Sequence, residues 1–312
     1  MAALSDAQLK CLPKADLRHR LMSYALTPGL QVDNAIHATH RSVKRDSGVE
    51  FSQYRAFQPG DDLRRVDWRV YGRSDRLLVR ESQSEGRLTV ALVVDLSGSM
   101  GMRDDQGVSR WVFATRMLGA LAWLAVEQHH DLVLVGLNVS PSVLPAAGGR
   151  AQLERFVRTL DAIEPGGEWP AGPAASEAMS FVPNRSAVFS FSDHLSADDG
   201  MESVLTQLSA RGCAVTSTQI LLPQEVDPPT RGQYRVLDCE SGASRWFDAS
   251  SEARDYQRRF RQLLKACRHR RVQTGARFVR TGTDQALDET LHAILSDSLS
   301  GRKRLLVATE SM

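Results

Sequence analysis

Five consecutive apolar residues, Val90-Ala91-Leu92-Val93-Val94, run straight into Asp95, and Leu96-Ser97-Gly98-Ser99 follows at once. An unbroken apolar, partly β-branched run reads as a strand buried on both faces, and such strands belong to parallel sheets covered by helices. The downstream pattern repeats the theme. Helical periodicity over Arg110 to Gln128 precedes a strand at Leu132 to Val139, and helices at Ala151 to Leu160 and Ala174 to Phe181 precede a strand at Ala187 to Phe191. A helix at Met201 to Ala210 then leads to a strand at Cys213 to Leu222. Strands alternating with helices predict an α/β fold with a mostly parallel sheet and helices on both faces. Beyond it, Tyr234 to Asp238 and Ser244 to Asp248 predict a small hairpin across Ser241-Gly242. Ser250 to Val272 predicts a long arginine-rich helix, Arg277 to Val279 a short strand, and Asp284 to Leu295 a last helix.

The end of the first buried strand is where chemistry concentrates. Ligands in open α/β sheets bind at the carboxyl ends of strands, and Asp95 stands at such an end. Ser97 and Ser99 follow it at spacings of two and four, in a tight loop made possible by Gly98. One carboxylate and two hydroxyls converging on a point form an oxygen-only set, which suits a hard cation such as Mg²⁺. The competing reading is a loop that caps the helix beginning near Arg110, or that satisfies its own backbone through Asx and Ser turns.

At 312 residues the chain is long enough for one large core with a smaller appended unit. Its net charge of +2 is too small to argue by itself for nucleic acid or membrane. Cys11, Cys213, Cys239 and Cys267 are scattered without a C-x-x-C pair, which predicts reduced thiols and not a zinc site or a disulfide frame. No apolar run approaches the roughly 18 residues needed to cross a bilayer. The cytoplasm is the expected location, without direct membrane insertion.

Upstream of the strand the character is different. A helix over Ala15 to Leu26 closes at Thr27-Pro28-Gly29, and a second short segment lies near Val32 to Thr39. From Arg41 to Arg87 arginine, glycine and acidic residues are interleaved with aromatic ones. Leu77 to Glu81 reads as a strand that could form a hairpin with the strand after it, across Glu85-Gly86. The expected organisation is residues 1–87 as an irregular helical and arginine-rich module, 88–300 as the sheet domain, and 301–312 as a loose tail.

Two blocks of residues support a family resemblance. Asp95-Leu96-Ser97-Gly98-Ser99 resembles the D-x-S-x-S signature of von Willebrand factor A-type domains, where it opens a metal-ion-dependent adhesion site. Gly48-Val49-Glu50-Phe51, Arg55, Pro59-Gly60-Asp61-Asp62-Leu63-Arg64-Arg65-Val66-Asp67-Trp68 and Arg73 resemble a block of the domain-of-unknown-function family fifty-eight, which precedes a von Willebrand-like domain. The resemblance spans nearly the whole chain. It implies a von Willebrand A-like, Rossmann-type sheet and a metal site built from Asp95, Ser97 and Ser99, with Asp193 as the distal aspartate. The cation is expected to be Mg²⁺, with Mn²⁺ or Ca²⁺ as alternatives. The family pattern places a threonine in a G-G-T loop; this chain reads Gly166-Gly167-Glu168 there, so Glu168 is the fifth candidate ligand. The resemblance also implies a partner, a MoxR-type AAA+ ATPase, and a bacterial setting in which such proteins assemble or mature other complexes.

Other chemistries are less well supported. Ser99 is preceded by Ser97-Gly98 and followed by Met100-Gly101, so the first glycine of a G-x-S-x-G nucleophile elbow is missing, and no G-x-x-x-x-G-K-[ST] phosphate loop is present. His129-His130 sits at a helix end, where adjacent imidazoles point to different sides. Arg64, Arg65, Arg69, Arg73, Arg76 and Arg80 could track a nucleic-acid backbone, with Trp68 and Tyr71 for stacking. The acids among them favour an internal salt-bridge network or a docking surface, in which Asp61, Asp62, Arg64, Arg65, Asp67 and Trp68 are the candidate partner contacts. The reading is therefore a non-enzymatic adaptor. The alternatives are a metal-dependent hydrolase with Glu168 or His194 as base, and nucleic-acid binding by the arginine module.

Overall fold

The computed structural model describes residues 11–26, 51–56, 68–74, 78–82, 87–167, 169, 172–195, 200–239 and 242–296. By contact the chain divides into residues 1–30 together with 88–312, and residues 31–87 between them. The first unit opens with α1 (Ala15–Leu21). Leu21 and Leu26 are buried members of the sheet's core, so the segment that the sequence groups with residues 1–87 packs with the sheet unit.

The intervening unit contains β1 (Phe51–Ala56), α2 (Trp68–Ser74) and β2 (Leu78–Ser82). β1 and β2 pair antiparallel. The strand expected at Leu77 to Glu81 therefore does not form a hairpin with the strand after it. That following strand has both of its edges taken by parallel neighbours, which leaves no ladder positions for β2.

It is β3 (Thr89–Asp95), the first strand of a six-stranded sheet. The chain continues through α3 (Arg110–Glu127), β4 (Asp131–Leu137), β5 (Ser142–Gly148), α4 (Arg150–Ala162), α5 (Gly172–Ser180) and β6 (Ala187–Ser192). Then come α6 (Gly200–Ala210), β7 (Ala214–Leu221), the one-turn α7 (Pro223–Val226), and the hairpin of β8 (Gln233–Leu237) and β9 (Ser244–Asp248). The described part closes with α8 (Ala249–Gln273), β10 (Arg277–Gly282) and α9 (Leu287–Leu295). The sheet order is β10-β7-β6-β3-β4-β5. Every neighbouring pair is parallel except β4 with β5. This is the mostly parallel, helix-covered α/β sheet that the sequence predicts.

The sequence accounts for these elements locally. Val90 to Val94 are all buried, as a central parallel strand covered on two faces requires. α3 starts where the Ser109 hydroxyl accepts the Val112 N–H at 3.1 Å, an N-cap that satisfies an otherwise unpaired amide. Its buried residues, from Phe113 to Ala125, pack with α4 and α9 over one face of the sheet. α5 and α6 cover the other face through Met179, Val204 and Leu208. Gly119 is needed in the middle of α3, because a Cβ there would lie 2.0 Å from the Cys11 carbonyl oxygen. β5 was not expected. It is an exposed edge strand carrying Pro145, and an edge tolerates the missing N–H.

The order of the strands matters most for function. From β3 the chain moves outward to β4 and β5, then returns to the opposite side of β3 as β6. The winding direction reverses between β3 and β6, so the crevice outside their carboxyl ends is the place where such sheets bind ligands.

Candidate metal site at the sheet's carboxyl edge

Asp95 ends β3, and Asp193 directly follows β6. Both are buried, on the two strands that flank the switch point. Asp95 Oδ1 accepts the Ser97 N–H at 2.8 Å, and Oδ2 accepts the Ser192 hydroxyl at 2.7 Å. The chain after Ser97 turns through a short 3-10 segment, Gly98–Gly101, which brings the Ser97 and Ser99 hydroxyls to 3.2 Å from each other. Two backbone bonds tie this loop to the next-but-one connection: Gly98 N–H to the Gly167 carbonyl at 3.0 Å, and Gly166 N–H to the Leu96 carbonyl at 2.8 Å. Gly98 also admits the β8–β9 connection, since a Cβ there would sit 3.1 Å from the Cys239 carbonyl oxygen.

Asp193 is held by its own backbone and by a buried cation. Its Oδ1 accepts the Leu195 N–H at 3.2 Å, and its carbonyl accepts from Gln219 Nε2 at 2.8 Å. The Arg110 guanidinium lies 3.6 Å from Asp193 Oδ2, donates to the Ser99 carbonyl at 2.7 Å, and is paired with Glu225 of α7. Arg110 is completely buried, and its Nε has no hydrogen-bond partner among the described residues. One guanidinium thus joins the D-x-S-x-S loop, the distal aspartate and α7.

Burial raises the Asp95 carboxyl above its ordinary range, and the neighbouring Asp193 charge adds to it; hydrogen bonds from Ser97 and Ser192 act the other way, leaving it at about 6. Two buried carboxylates that repel each other are stabilised by positive charge placed near both. The donors present, two carboxylates and two hydroxyls, are all oxygen and fit a hard divalent cation. Among the described residues no three His, Cys, Asp or Glu side chains gather into a metal cluster, and the described oxygen donors are the two carboxylates with the Ser97 and Ser99 hydroxyls.

The structure brings together four of the residues singled out from the sequence: Asp95, Ser97, Ser99 and Asp193. Glu168, Asp61, Asp62, Arg64, Arg65 and Asp67 lie outside the described residues, as do residues 301–312. Trp68 begins α2. The capping alternative is divided by the structure. Ser109 caps α3, whereas Asp95 does make an Asx-type bond to Ser97. His194 is fully buried. Its Nε2 is hydrogen-bonded to Ser217 at 2.9 Å, and burial together with Arg271, Arg270 and Arg280 holds its pKa well below the usual histidine value. Sequence reasoning missed Arg110, Ser192 and Glu225. An arginine at the first position of a mostly apolar helix is the one signal that could have found the first of them.

A family model described as "Protein of unknown function DUF58" matches residues 53–270. The uncharacterized protein Rv1480 of Mycobacterium tuberculosis is 28% identical over 245 residues, covering 75% of this chain and 74% of the relative. The uncharacterized protein Mb1516 of Mycobacterium bovis gives the same values. Among solved structures, the conserved hypothetical protein BatB from Bacteroides thetaiotaomicron aligns at 15% identity over 68% of this chain and 98% of its own, with a TM-score of 0.43. A von Willebrand factor type A protein from Catenulispora acidiphila aligns at 12% identity over 46% and 35%, with a TM-score of 0.28.

Proposed function

The chain belongs to the family of proteins of unknown function DUF58, and from that membership we propose that it is a non-enzymatic adaptor that recruits a protein partner at the carboxyl edge of its sheet. Asp95, Ser97, Ser99 and Asp193 hold a divalent cation, Mg²⁺ before Mn²⁺ or Ca²⁺. A partner's carboxylate completes the coordination. A hard cation bound through few protein oxygens keeps exchangeable positions, which is what such capture requires.

One observation carries the reading: two mutually repelling buried carboxylates and two adjacent serine hydroxyls share the crevice at the sheet's switch point. Apolar exposure on the same edge supports a protein ligand. Met102, Val139 and Val226 are exposed in the segments that follow β3, β4 and β7. The hairpin whose connection reaches Gly98 exposes Leu237 and, at 71%, Trp246. Exposed apolar side chains grouped around a polar centre are characteristic of interaction surfaces.

The resemblance to the family supplies the partner class, a MoxR-type AAA+ ATPase. The hydrolase alternative needs a general base beside the site. His194, neutral and hydrogen-bonded to Ser217 in the interior, does not favour it. The test compares wild type with Asp95→Ala by calorimetric Mg²⁺ titration and by capture of a MoxR-type ATPase with and without chelator. Loss of both in the variant is the expected result. Unchanged Mg²⁺ binding and unchanged capture would overturn the reading.

A further inference from the structure

α8 is the longest helix described, and its charge is distributed unevenly. Its acids, Glu252 and Asp255, lie in the first two turns; no acidic residue follows Asp255 in the helix. Both acids are engaged, Glu252 with Arg245 of the hairpin, and Asp255 with Arg258 and Arg259. Arg254, Arg258, Arg261, Lys265 and Arg268 are all exposed. Their spacings of four, three, four and three place them on one line along the helix, because residues so spaced lie above one another. At 1.5 Å per residue the line is about 21 Å long. Among the described residues Arg254, Arg261, Lys265 and Arg268 have no ion-pair partner.

The stripe has no structural work to do inside the protein. α8 docks through its other side, where Phe260 and Leu264 are buried and Tyr256 stacks on Phe260 at 5.5 Å between centroids. Helix-dipole complementarity accounts for cations in the last turn, which are Arg270 and Arg271. It does not account for Arg254 through Lys265.

We propose that this stripe is a docking surface for the anionic headgroups of a lipid bilayer, on which α8 lies flat. A row of cations on a convex helix suits a plane of mobile anions, which can adjust to any spacing. Two observations favour lipid over nucleic acid. Both aromatic residues of α8 face inward, so the stripe offers no surface for stacking bases. The same line continues to Val272, an apolar side chain 58% exposed, which a headgroup boundary accommodates and a phosphodiester backbone does not use.

The test is sedimentation of the purified full chain with vesicles of phosphatidylcholine alone or with phosphatidylserine added, at low and high salt. Wild type sediments with the phosphatidylserine vesicles at low salt only. In Arg261→Gln/Lys265→Gln the partition coefficient falls roughly thirtyfold, each cation near an anionic surface contributing about fivefold. Both positions are exposed, and circular dichroism of the variant confirms that it folds. The proposal is overturned by equal sedimentation with neutral vesicles, by absence of binding, by an unchanged variant, or by duplex DNA that displaces the chain from the vesicles.

Discussion

The guanidinium of Arg110 lies 3.6 Å from the buried Asp193 carboxylate and is also paired with the partly buried Glu225, at the carboxyl edge of the sheet. The candidate metal site therefore already contains one fixed positive charge. A divalent cation bound between Asp95 and Asp193 must share the second carboxylate with it.

Arg110→Gln removes that charge and leaves Glu225 and Asp193 without their counter-ion. Breaking a buried ion pair from one side costs about 3–5 kcal/mol, so the melting temperature without metal is expected to fall. Mg²⁺ is then the remaining compensating charge. Calorimetry should show tighter Mg²⁺ binding than in wild type, and thermal melts a larger Mg²⁺-dependent recovery. Weaker or equal Mg²⁺ binding would remove the idea of competition.

Trp246→Ser tests the apolar rim. The residue is largely exposed, so the melting temperature and Mg²⁺ affinity are expected to stay near wild-type values. Capture of the MoxR-type ATPase should weaken at least about tenfold if the indole is an interface anchor. Undiminished capture would place the partner elsewhere on the chain.

Thr283→Val addresses pH. Burial alone would raise the Asp104 carboxyl, but the Thr283 hydroxyl at 2.6 Å and the Val108 and Gln106 amides outweigh it and hold it below its ordinary value. A depressed folded pKa contributes stability above the unfolded value, near 4, and loses it as pH falls through the folded one. Wild type is therefore expected to exceed the variant by about 0.5–1 kcal/mol at neutral pH, because solvent near the carboxyl screens the bond. Denaturant titrations should show the gap narrowing as the solution is acidified below about pH 4. A gap independent of pH would assign the loss to packing.

Gly119→Ala puts a methyl group where the Cys11 carbonyl oxygen now lies, and a backbone atom cannot rotate out of the way. The expected cost is about 1–3 kcal/mol, despite alanine's better helix propensity. Limited proteolysis should cut the variant sooner near Cys11. A more stable variant would show that the segment is not seated on α3.

Leu21→Ala deletes a fully buried side chain from the sheet unit's core. Urea unfolding should show a loss of about 2–5 kcal/mol in the transition of the sheet itself. A loss confined to a separate, earlier transition would detach the N-terminal segment from that core.

Most of the sheet was legible because β3 is an unbroken apolar run, β6 and β7 are short segments rich in apolar and β-branched residues, and helical periodicity lies between them. Asp95 could be read from the run it ends, whereas Asp193 was paired with it only through the resemblance to von Willebrand factor A-type domains. β5 was hidden by its exposure and by Pro145, which argue against a strand unless the edge position is known. The partner of β2 was misread because neighbouring strands in sequence often pair, yet β3 is central and has no free edge. Ser192 and Glu225 carry no local signature. They matter only because the strand order brings them beside Asp95 and Arg110, a relation set by contacts 97 and 115 residues apart.

The core that contains Leu21 and Leu26 resumes only at Leu88, after the whole of the arginine-rich unit. The sheet domain is thus discontinuous in sequence, with the arginine-rich unit as an insertion into it. An expression boundary drawn at Leu88 would remove a piece of the domain's own interior and uncover the face of α3 where Gly119 receives Cys11. Excising residues 31–87 and rejoining the ends would keep that interior whole.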